Sequence, residues 1–371
     1  MIAEYVGARP RVTGAAGGGA SIGLIGSQAS RSQSISPPWL SGAPAYIVAV
    51  VTNGERMTTR GSLSVPEVEA PVSDDPIVSL VMSAWKPRSD WFREAVASAL
   101  DQEDCEIELI VVDDGSPTPV SDLLTDVEDP RLRVVRVEHG GISHTRNAGI
   151  RAARGGFFRF VDADDVLERR STARLLSLAE DGGGIAYGAT LVCDDELRPV
   201  GVKSSQLEGW IAEDCLLYRF DVKHMSMLFP RRVVEDVGEW EVAMQQCQDW
   251  DFVLRALEHA PVRGEQEIAA YYRRHGSSLS ANLERALHYE SRVVARYFER
   301  HPAQVGTSLE REAQAKLLMV RAKACLPMGR GRWERLRLTA RALALHPQRA
   351  TQELGREAGQ LGRRAVRKTS R

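Results

Sequence analysis

From Pro76 onward the chain alternates short, almost uninterrupted apolar runs with stretches whose apolar residues recur at helical spacing. Ile77–Met82, Ile107–Val112 and Leu132–Val137 are runs of the first kind, rich in Val, Ile and Leu and too short for helices, so each is expected to form a buried strand. A fourth begins at Phe157, after Gly155-Gly156, and stops abruptly on Asp162, Asp164 and Asp165. Between these runs, Phe92, Val96 and Leu100 lie at 3.6-type spacing behind Ser89 and Asp90, either of which can cap a helix. A short helix is expected after Pro119, and a longer one from about Ser143 to Ala153 behind the turn His139-Gly140-Gly141. Trp250, Val253, Leu254 and Leu257 predict another. Strands that are apolar throughout, alternating with helices, imply a mostly parallel sheet with helices on both faces. Ligands of such sheets bind beyond the carboxyl ends of the strands. Three strand ends here are polar or acidic: Ser83-Ala84-Trp85, Asp113-Asp114 and Asp162–Asp165.

The flanks follow other patterns. Residues 1–73 are rich in Gly, Ser, Ala and Pro without periodicity, so they are expected to be disordered, and Met57 is a candidate translation start. Residues 283–371 read as helices. Leu317, Leu318, Val320 and Ala324 mark one apolar face and Trp333, Leu336, Ala340 and Leu343 another. The expected division is therefore a disordered extension over 1–73, a catalytic domain over 74–282 and a basic helical region over 283–371.

Composition sharpens this division. Hydrophobic residues at 43% and charged residues at 26% are those of a globular protein. No apolar run nears the roughly 20 residues that span a bilayer, and Met1–Arg11 has no signal-peptide pattern. Five cysteines without C-x-x-C pairing suggest neither zinc nor disulfides and make a reducing cytoplasm the default. The net charge of −2 conceals an asymmetry: residues 283–371 hold 20 Lys or Arg against 8 Asp or Glu, net +12, leaving −14 for residues 1–282. A basic helical tail of this kind can rest solvated on the catalytic domain, or hold the protein at the anionic inner face of a cell membrane. Nucleic acid is not an expected partner, because no aromatic-interleaved RNA motif accompanies the charge.

Acids as dense as Asp162, Asp164 and Asp165 repel one another unless a cation or hydrogen-bond donors sit among them. A hard divalent ion, Mg²⁺ or Mn²⁺, takes oxygen ligands and leaves room for substrate phosphates. A cleft lined by Asp114, Asp162 and Asp164 would admit a diphosphate only with a bridging metal, which suits a nucleotide-diphosphate donor.

The region 76–282 resembles glycosyltransferase family 2, inverting enzymes of GT-A fold that use nucleotide-activated sugars. The resemblance rests on Pro76-Ile-Val-Ser-Leu-Val-Met82, Ser98-Ala-Leu-Asp-Gln102, Val112-Asp-Asp-Gly-Ser116 and Gly141-Ile-Ser-His-Thr-Arg-Asn-Ala-Gly149. It continues through Phe160-Val-Asp-Ala-Asp-Asp165, Gln248-Asp-Trp-Asp251 and Tyr272-Arg-Arg-His-Gly-Ser-Ser278. It implies that Asp114, with Asp113 beside it, contacts the nucleobase, that Trp85 stacks on that base next to Ser83, and that Asp162 sits near the ribose. It further implies Asp164 as metal ligand and Asp249 as the base that deprotonates the acceptor, with Asp251 the competing carboxylate. His275 falls where the family closes the donor site near the pyrophosphate, and is expected on the donor and the metal. Arg146 can reach a phosphate or pair with the acids, and Asn147 is a ligand or a structural residue. Asp165 is expected to cap a following helix, His144 to face solvent, and His224 to lie on the acceptor side.

Two departures stand out. Ser83-Ala84-Trp85-Lys86 replaces a Pro-x-Tyr-Asn type ending, and Gln248 replaces a common Glu. The implied activity is metal-dependent transfer of a sugar, from a UDP-sugar by preference, to a glycan, lipid-linked or small-molecule hydroxyl in surface polysaccharide or glycolipid synthesis. A sugar-phosphate nucleotidyltransferase would share the strand-end acids, but Ser83–Arg88 lacks the Gly-rich basic loop of that class. A non-catalytic nucleotide-sugar binder is the other alternative.

Overall fold

The computed structural model describes residues 49–50, 78–276, 282–325 and 327–369. Of the N-terminal stretch expected to be disordered, only Ala49–Val50 is described; Met57, Pro76, Ile77, Ser277 and Ser278 lie outside the described residues. Ala49–Val50 is β1, followed by β2 (Val78–Ala84), α1 (Ser89–Leu100), β3 (Ile107–Asp113), β4 (Leu132–Arg136), α2 (Ile142–Ala152) and β5 (Phe157–Asp162). The second half contains β6 (Val166–Leu167), α3 (Ser171–Gly182), β7 (Ile185–Cys193), β8 (Pro199–Lys203), α4 (Ala212–Leu216), β9 (Met227–Pro230), α5 (Arg231–Val237), α6 (Gln248–His259) and β10 (Val262–Arg273). Among the described residues four α-helices follow: α7 (Leu283–Arg300), α8 (Ser308–Ala324), α9 (Gly331–Leu345) and α10 (Pro347–Thr369). The short helix expected after Pro119 is a 3₁₀ turn over Val120–Leu123.

The strands run in the order β1-β4-β3-β2-β5-β9-β7-β10-β6, with β8 beside β7. The neighbours β4, β3, β2 and β5 are parallel, as expected. Beyond β5 the sheet is mixed: β9 is antiparallel to β5 and β7, β6 to β10, and β8 to β7, while β7 and β10 are parallel. All seven residues of β2 and of β3 are buried because helices cover both faces. Val78, Leu80 and Met82 join Phe92, Ala95, Val96 and Ala99 of α1, whereas Val81 belongs to the opposite core with Phe252 and Leu254 of α6. The period of two in β2 thus feeds two layers.

Two features carry this packing to the carboxyl ends of the strands. Gly149 seats α2 so closely on β2 that a Cβ there would fall 2.3 Å from Val81 Cγ1. Arg159, fully buried in β5, donates to the carbonyls of Met225 (2.9 Å) and Ala269 (2.7 Å) and to Ser171 Oγ and Thr172 Oγ1. One guanidinium therefore ties β5 to α3, β10 and the 3₁₀ turn His224–Ser226, meeting acceptors that would otherwise be buried unpaired.

The change of composition at residue 283 is not a break in packing. Val293, Val294, Tyr297 and Phe298 of α7 share the core of α6. Leu318, Met319 and Ala322 of α8 pack with Leu338, Ala342 and Ala350 of α9 and α10. Of the expected faces, Val320 and Ala324 pack on Leu287 of α7, and Leu317 borders the main core. The second face differs from expectation: Trp333 and Leu336 are 80% and 55% exposed, because α9 turns Leu338 and Ala342 inward instead. Among the described residues no helix is long and apolar enough to cross a membrane.

Candidate active site

A cleft of about 980 Å³ opens where β2, β3 and β5 end. Ser83, Trp85, Asp114, Arg146, Asp162, Asp164, Asp249 and His275 all line it, although they are drawn from positions up to 192 residues apart. Asp113 and Asn147 are not among its lining residues.

At the β3 end, Asp114 accepts backbone N–H bonds from Gly140 (2.8 Å) and Gly141 (3.0 Å). Gly141 has φ +87°, a left-handed conformation that glycine adopts without a steric cost. Asp114 thereby holds the turn that opens α2, and its Oδ2 also meets His139 Nδ1 at 2.9 Å. The His139 ring lies on Trp85, centroids 4.9 Å apart and planes at 19°, while Lys86 Nζ stands 4.4 Å from the Trp85 centroid. Trp85 is 49% exposed, a flat apolar surface at the cleft mouth. Asp113 turns the other way, as alternation along a strand requires. Its carboxylate accepts from Arg136 Nη1 (2.7 Å), Ser116 N–H (2.9 Å) and Val120 N–H (3.3 Å), so it braces the β3 loop rather than reaching a base.

Arg146, 1% exposed, donates from Nη2 to Asp162 Oδ1 at 2.7 Å and lies 2.9 Å from His224 Nε2, with its guanidinium 4.3 Å from the Trp240 ring. Of its two expected roles, pairing with the acids is the one formed. Burial alone would raise the Asp162 carboxyl, but Arg146 and His224 outweigh it and hold the group far below the usual carboxylate range. Asn147 is structural: its amide donates to Trp240 O (3.0 Å) and accepts from Trp240 N–H (2.7 Å). Thr145 Oγ1 donates to Ser83 Oγ at 2.9 Å, joining α2 to the end of β2.

The acids after β5 part company. Asp164 Oδ2 lies 2.7 Å from His275 Nε2, across 111 residues of sequence. Asp165 is buried and caps no helix; β6 follows it instead, and its Oδ1 accepts Arg273 N–H at 2.7 Å while Oδ2 has no hydrogen-bond partner among the described residues. Burial, then Asp164 and Asp162 beside it, push its pKa well above the ordinary value. For a divalent cation the fit is partial. Asp164 and His275 offer one oxygen and one nitrogen at adjacent positions, and among the described residues no group of three or more His, Cys, Asp or Glu could hold a metal. Two protein ligands completed by substrate phosphates and water suit Mg²⁺ or Mn²⁺.

Asp249 is the second residue of α6, its Oδ1 accepting its neighbour Trp250's N–H at 2.9 Å. Burial would raise its carboxyl, but Lys223, His224 and Arg146 hold it below the usual range. Asp251 is separate, pinned between Arg255 Nε (3.0 Å) and Arg296 Nε (2.9 Å), and does not line the cleft. Several lining residues have no sequence signal. Lys223 lies in the acceptor-side segment around His224 with no role of its own expected, yet its ammonium stands 4.8 Å from the Tyr272 ring and acts on Asp249. His139 reads only as a turn residue. Ala286 and Glu290 come from α7, within the basic region, and an amphipathic helix pattern cannot say that its inner face meets a cleft.

Residues 79–228 match the family model described as Glycosyl transferase family 2. The succinoglycan biosynthesis protein ExoO of Rhizobium meliloti is 35% identical over 196 residues, covering 49% of this chain and 56% of that protein. The UDP-Glc:alpha-D-GlcNAc-diphosphoundecaprenol beta-1,3-glucosyltransferase WfaP of Escherichia coli is 23% identical over 218 residues, covering 58% of this chain and 85% of that protein. Among solved structures, S. aureus TarS 1-349 in complex with UDP-GlcNAc is similar at 16% identity and a TM-score of 0.47, covering 76% of this chain and 92% of that one. The chain spans only 26%, 31% and 56% of the lengths of three curated relatives that it matches. With its parallel strands, its acids at their carboxyl ends and the matched motifs in order, the region over residues 79–228 is similar to glycosyltransferase family 2, on an α/β sheet covered by helices.

Proposed function

We propose that the protein is a metal-dependent, inverting glycosyltransferase that moves a sugar from a nucleotide-diphosphate donor, by preference a UDP-sugar, to a hydroxyl of a glycan, lipid-linked or small-molecule acceptor. Surface polysaccharide or glycolipid synthesis is the setting, supported by the names of ExoO and WfaP. The observation that carries the reading is the convergence of Trp85, Asp114, Asp162, Asp164, His275 and Asp249 on one cleft. The catalytic unit in this reading runs from residue 74 through α7, because Ala286 and Glu290 line the same cleft.

The nucleobase rests on Trp85 and displaces or joins His139, while Asp114 keeps the Gly140-Gly141 turn in place beneath it. The diphosphate points toward Asp164 and His275. A divalent cation, Mn²⁺ or Mg²⁺, held there would supply positive charge for the departing diphosphate. At the other end Asp249 accepts the proton of the acceptor hydroxyl. The acceptor oxygen bonds to the anomeric carbon as the bond from that carbon to the phosphate oxygen breaks on the opposite face, which inverts the centre. Lys223, His224 and Arg146 keep Asp249 ionised and ready for that proton. Arg146 also cancels the Asp162 charge, which lowers the repulsion an incoming diphosphate meets.

Calorimetry with UDP and Mn²⁺, together with turnover of UDP-sugars, tests this reading. Asp249→Asn is expected to bind UDP as the wild type does and to lose about 10²- to 10⁴-fold in turnover; an unaffected rate removes Asp249 from its role. Asp164→Ala is expected to lose the Mn²⁺ dependence of UDP binding, and undiminished affinity in Mn²⁺ would move the metal elsewhere.

A further inference from the structure

The helix α9 buries Leu338 and Ala342 against α8 and α10, half-buries Leu343 and Leu345 beside them, and leaves one side exposed. After Gly331 at its start, its exposed residues are Arg332, Trp333, Leu336, Arg337, Ala340, Arg341 and Ala344. At 3.6 residues per turn, Leu336, Ala340, Trp333 and Ala344 fall side by side as one apolar strip along the helix. Arg332 borders the strip on one side, and Arg337 and Arg341 on the other. A helix that merely packs on a neighbour turns its Trp and Leu inward, and the amphipathic reading of the sequence expected that here. Instead the largest apolar side chain of α9 is the most exposed large apolar group among the described residues.

An apolar strip between rows of arginine, on a region of net +12, has a definite complement. The boundary of an anionic bilayer offers headgroup phosphates to the arginines and acyl chains to the strip, and Trp at such a boundary sits with its ring at headgroup depth. We infer that α9 is an interfacial helix that seats the protein on an anionic lipid surface, with Trp333 and Leu336 inserted and Arg332, Arg337 and Arg341 on the headgroups. A protein partner would have to supply an acidic-rimmed apolar groove. A lipid surface supplies both elements without a specific shape, and the regular alternation of the strip and its borders asks for no more. The inference is independent of the transferase reading, because none of these residues lines the cleft.

Co-sedimentation of the full chain with vesicles of phosphatidylcholine, alone and mixed with phosphatidylglycerol, tests it. The wild type is expected to bind the mixed vesicles only, to be released by salt, and to show quenching of Trp333 by brominated acyl chains, read against Trp333→Phe. Arg332→Gln, Arg337→Gln and Arg341→Gln combined should weaken binding on the order of 100-fold. Trp333→Ala with Leu336→Ala should weaken it by about ten-fold or more. Both variants should keep the wild-type melting temperature, since the residues are exposed; should either fail to fold, salt release and quenching of the wild type decide alone. Equal binding to neutral vesicles, no binding to mixed ones, or unquenched Trp333 would overturn the inference. So would a Trp333-dependent dimer in light scattering whose lipid binding survives Trp333→Ala, since the strip would then be covered by a second copy of this chain.

Discussion

Replacing Gly149 by alanine separates the seating of α2 from the chemistry it carries. A Cβ at this position falls 2.3 Å from Val81 Cγ1 and 3.4 Å from Val112 Cγ2. Val81 is fully buried and β-branched, so it has no free rotamer into which to swing. The helix must therefore lift from the sheet by about 1 Å before contact distances become ordinary. Overpacking of this kind costs about 1–3 kcal/mol, and the gain in helix propensity on losing glycine returns about 1 kcal/mol. The net expectation is a loss of roughly 1–2 kcal/mol in urea unfolding. The functional effect should be larger. Arg146 lies on the preceding turn of the same helix, and its 2.7 Å bond to Asp162 does not survive a displacement of that size. Turnover is expected to fall on the order of 100-fold, the usual consequence of a small misplacement in a positioned site. Gly156→Ala is the control, since a Cβ there meets nothing within 4 Å, and its stability should hold or rise by up to about 1 kcal/mol. A Gly149→Ala protein as stable and as active as the wild type would refute the argument that this contact sets the site.

Two further outcomes follow from charge. Glu353 in α10 is buried among Lys316, Lys323 and Arg349, and although burial opposes ionisation these cations bring its pKa from 4.5 down to about 2. That fall corresponds to roughly 3 kcal/mol of stability present above pH 4.5 and lost as pH drops toward 2. Burial also lowers the Lys316 pKa despite the pairing, so the cluster's net worth is smaller, about 2 kcal/mol. Glu353→Gln should lower stability by about that amount at pH 7 and flatten the acid limb between pH 4.5 and 2 in denaturant titrations; an unchanged limb would sink the assignment. Lys223→Met removes the first of the cations that depress Asp249. If Asp249 is the proposed base, it works when ionised, so the acid limb of turnover against pH should move upward relative to wild type while neutral-pH UDP binding holds. A limb that stays in place would show that Lys223 does not tune Asp249.

The parallel half of the sheet was legible because strands buried on both faces must be apolar throughout, and few other elements of six or seven residues are. The strand-end acids were legible for the converse reason, since carboxylates directly after such a run cannot be core. What the sequence could not disclose was direction. Asp113 and Asp114 are adjacent and chemically identical, yet one strand step turns the first onto Arg136 and the second toward the cleft. Asn147 lies about 100° around α2 from Arg146 and so faces Trp240. The strands β6, β8 and β9 have two to five residues, too few for a period to register. In α9 apolar residues occur around the whole helix, and only the packing of α8 and α10 decides which of two candidate faces is covered.

The same logic revises what the acid cluster is. Three carboxylates within four positions read as one cage for a cation, but the fold gives each a different neighbour. Asp162 is neutralised by Arg146 and His224, which come from α2 and from the 3₁₀ turn that Arg159 anchors. Asp165 is driven toward its protonated form by burial and by the other two acids, and its remaining hydrogen bond fixes the end of β10 at Arg273. That end of β10 carries His275 to Asp164. One acid therefore holds the strand that delivers the partner of another, and Asp164, which lines the cleft, meets His275 there. A cation shared with a diphosphate needs such a site: few protein ligands, rigidly placed, with the remaining positions open to substrate oxygens.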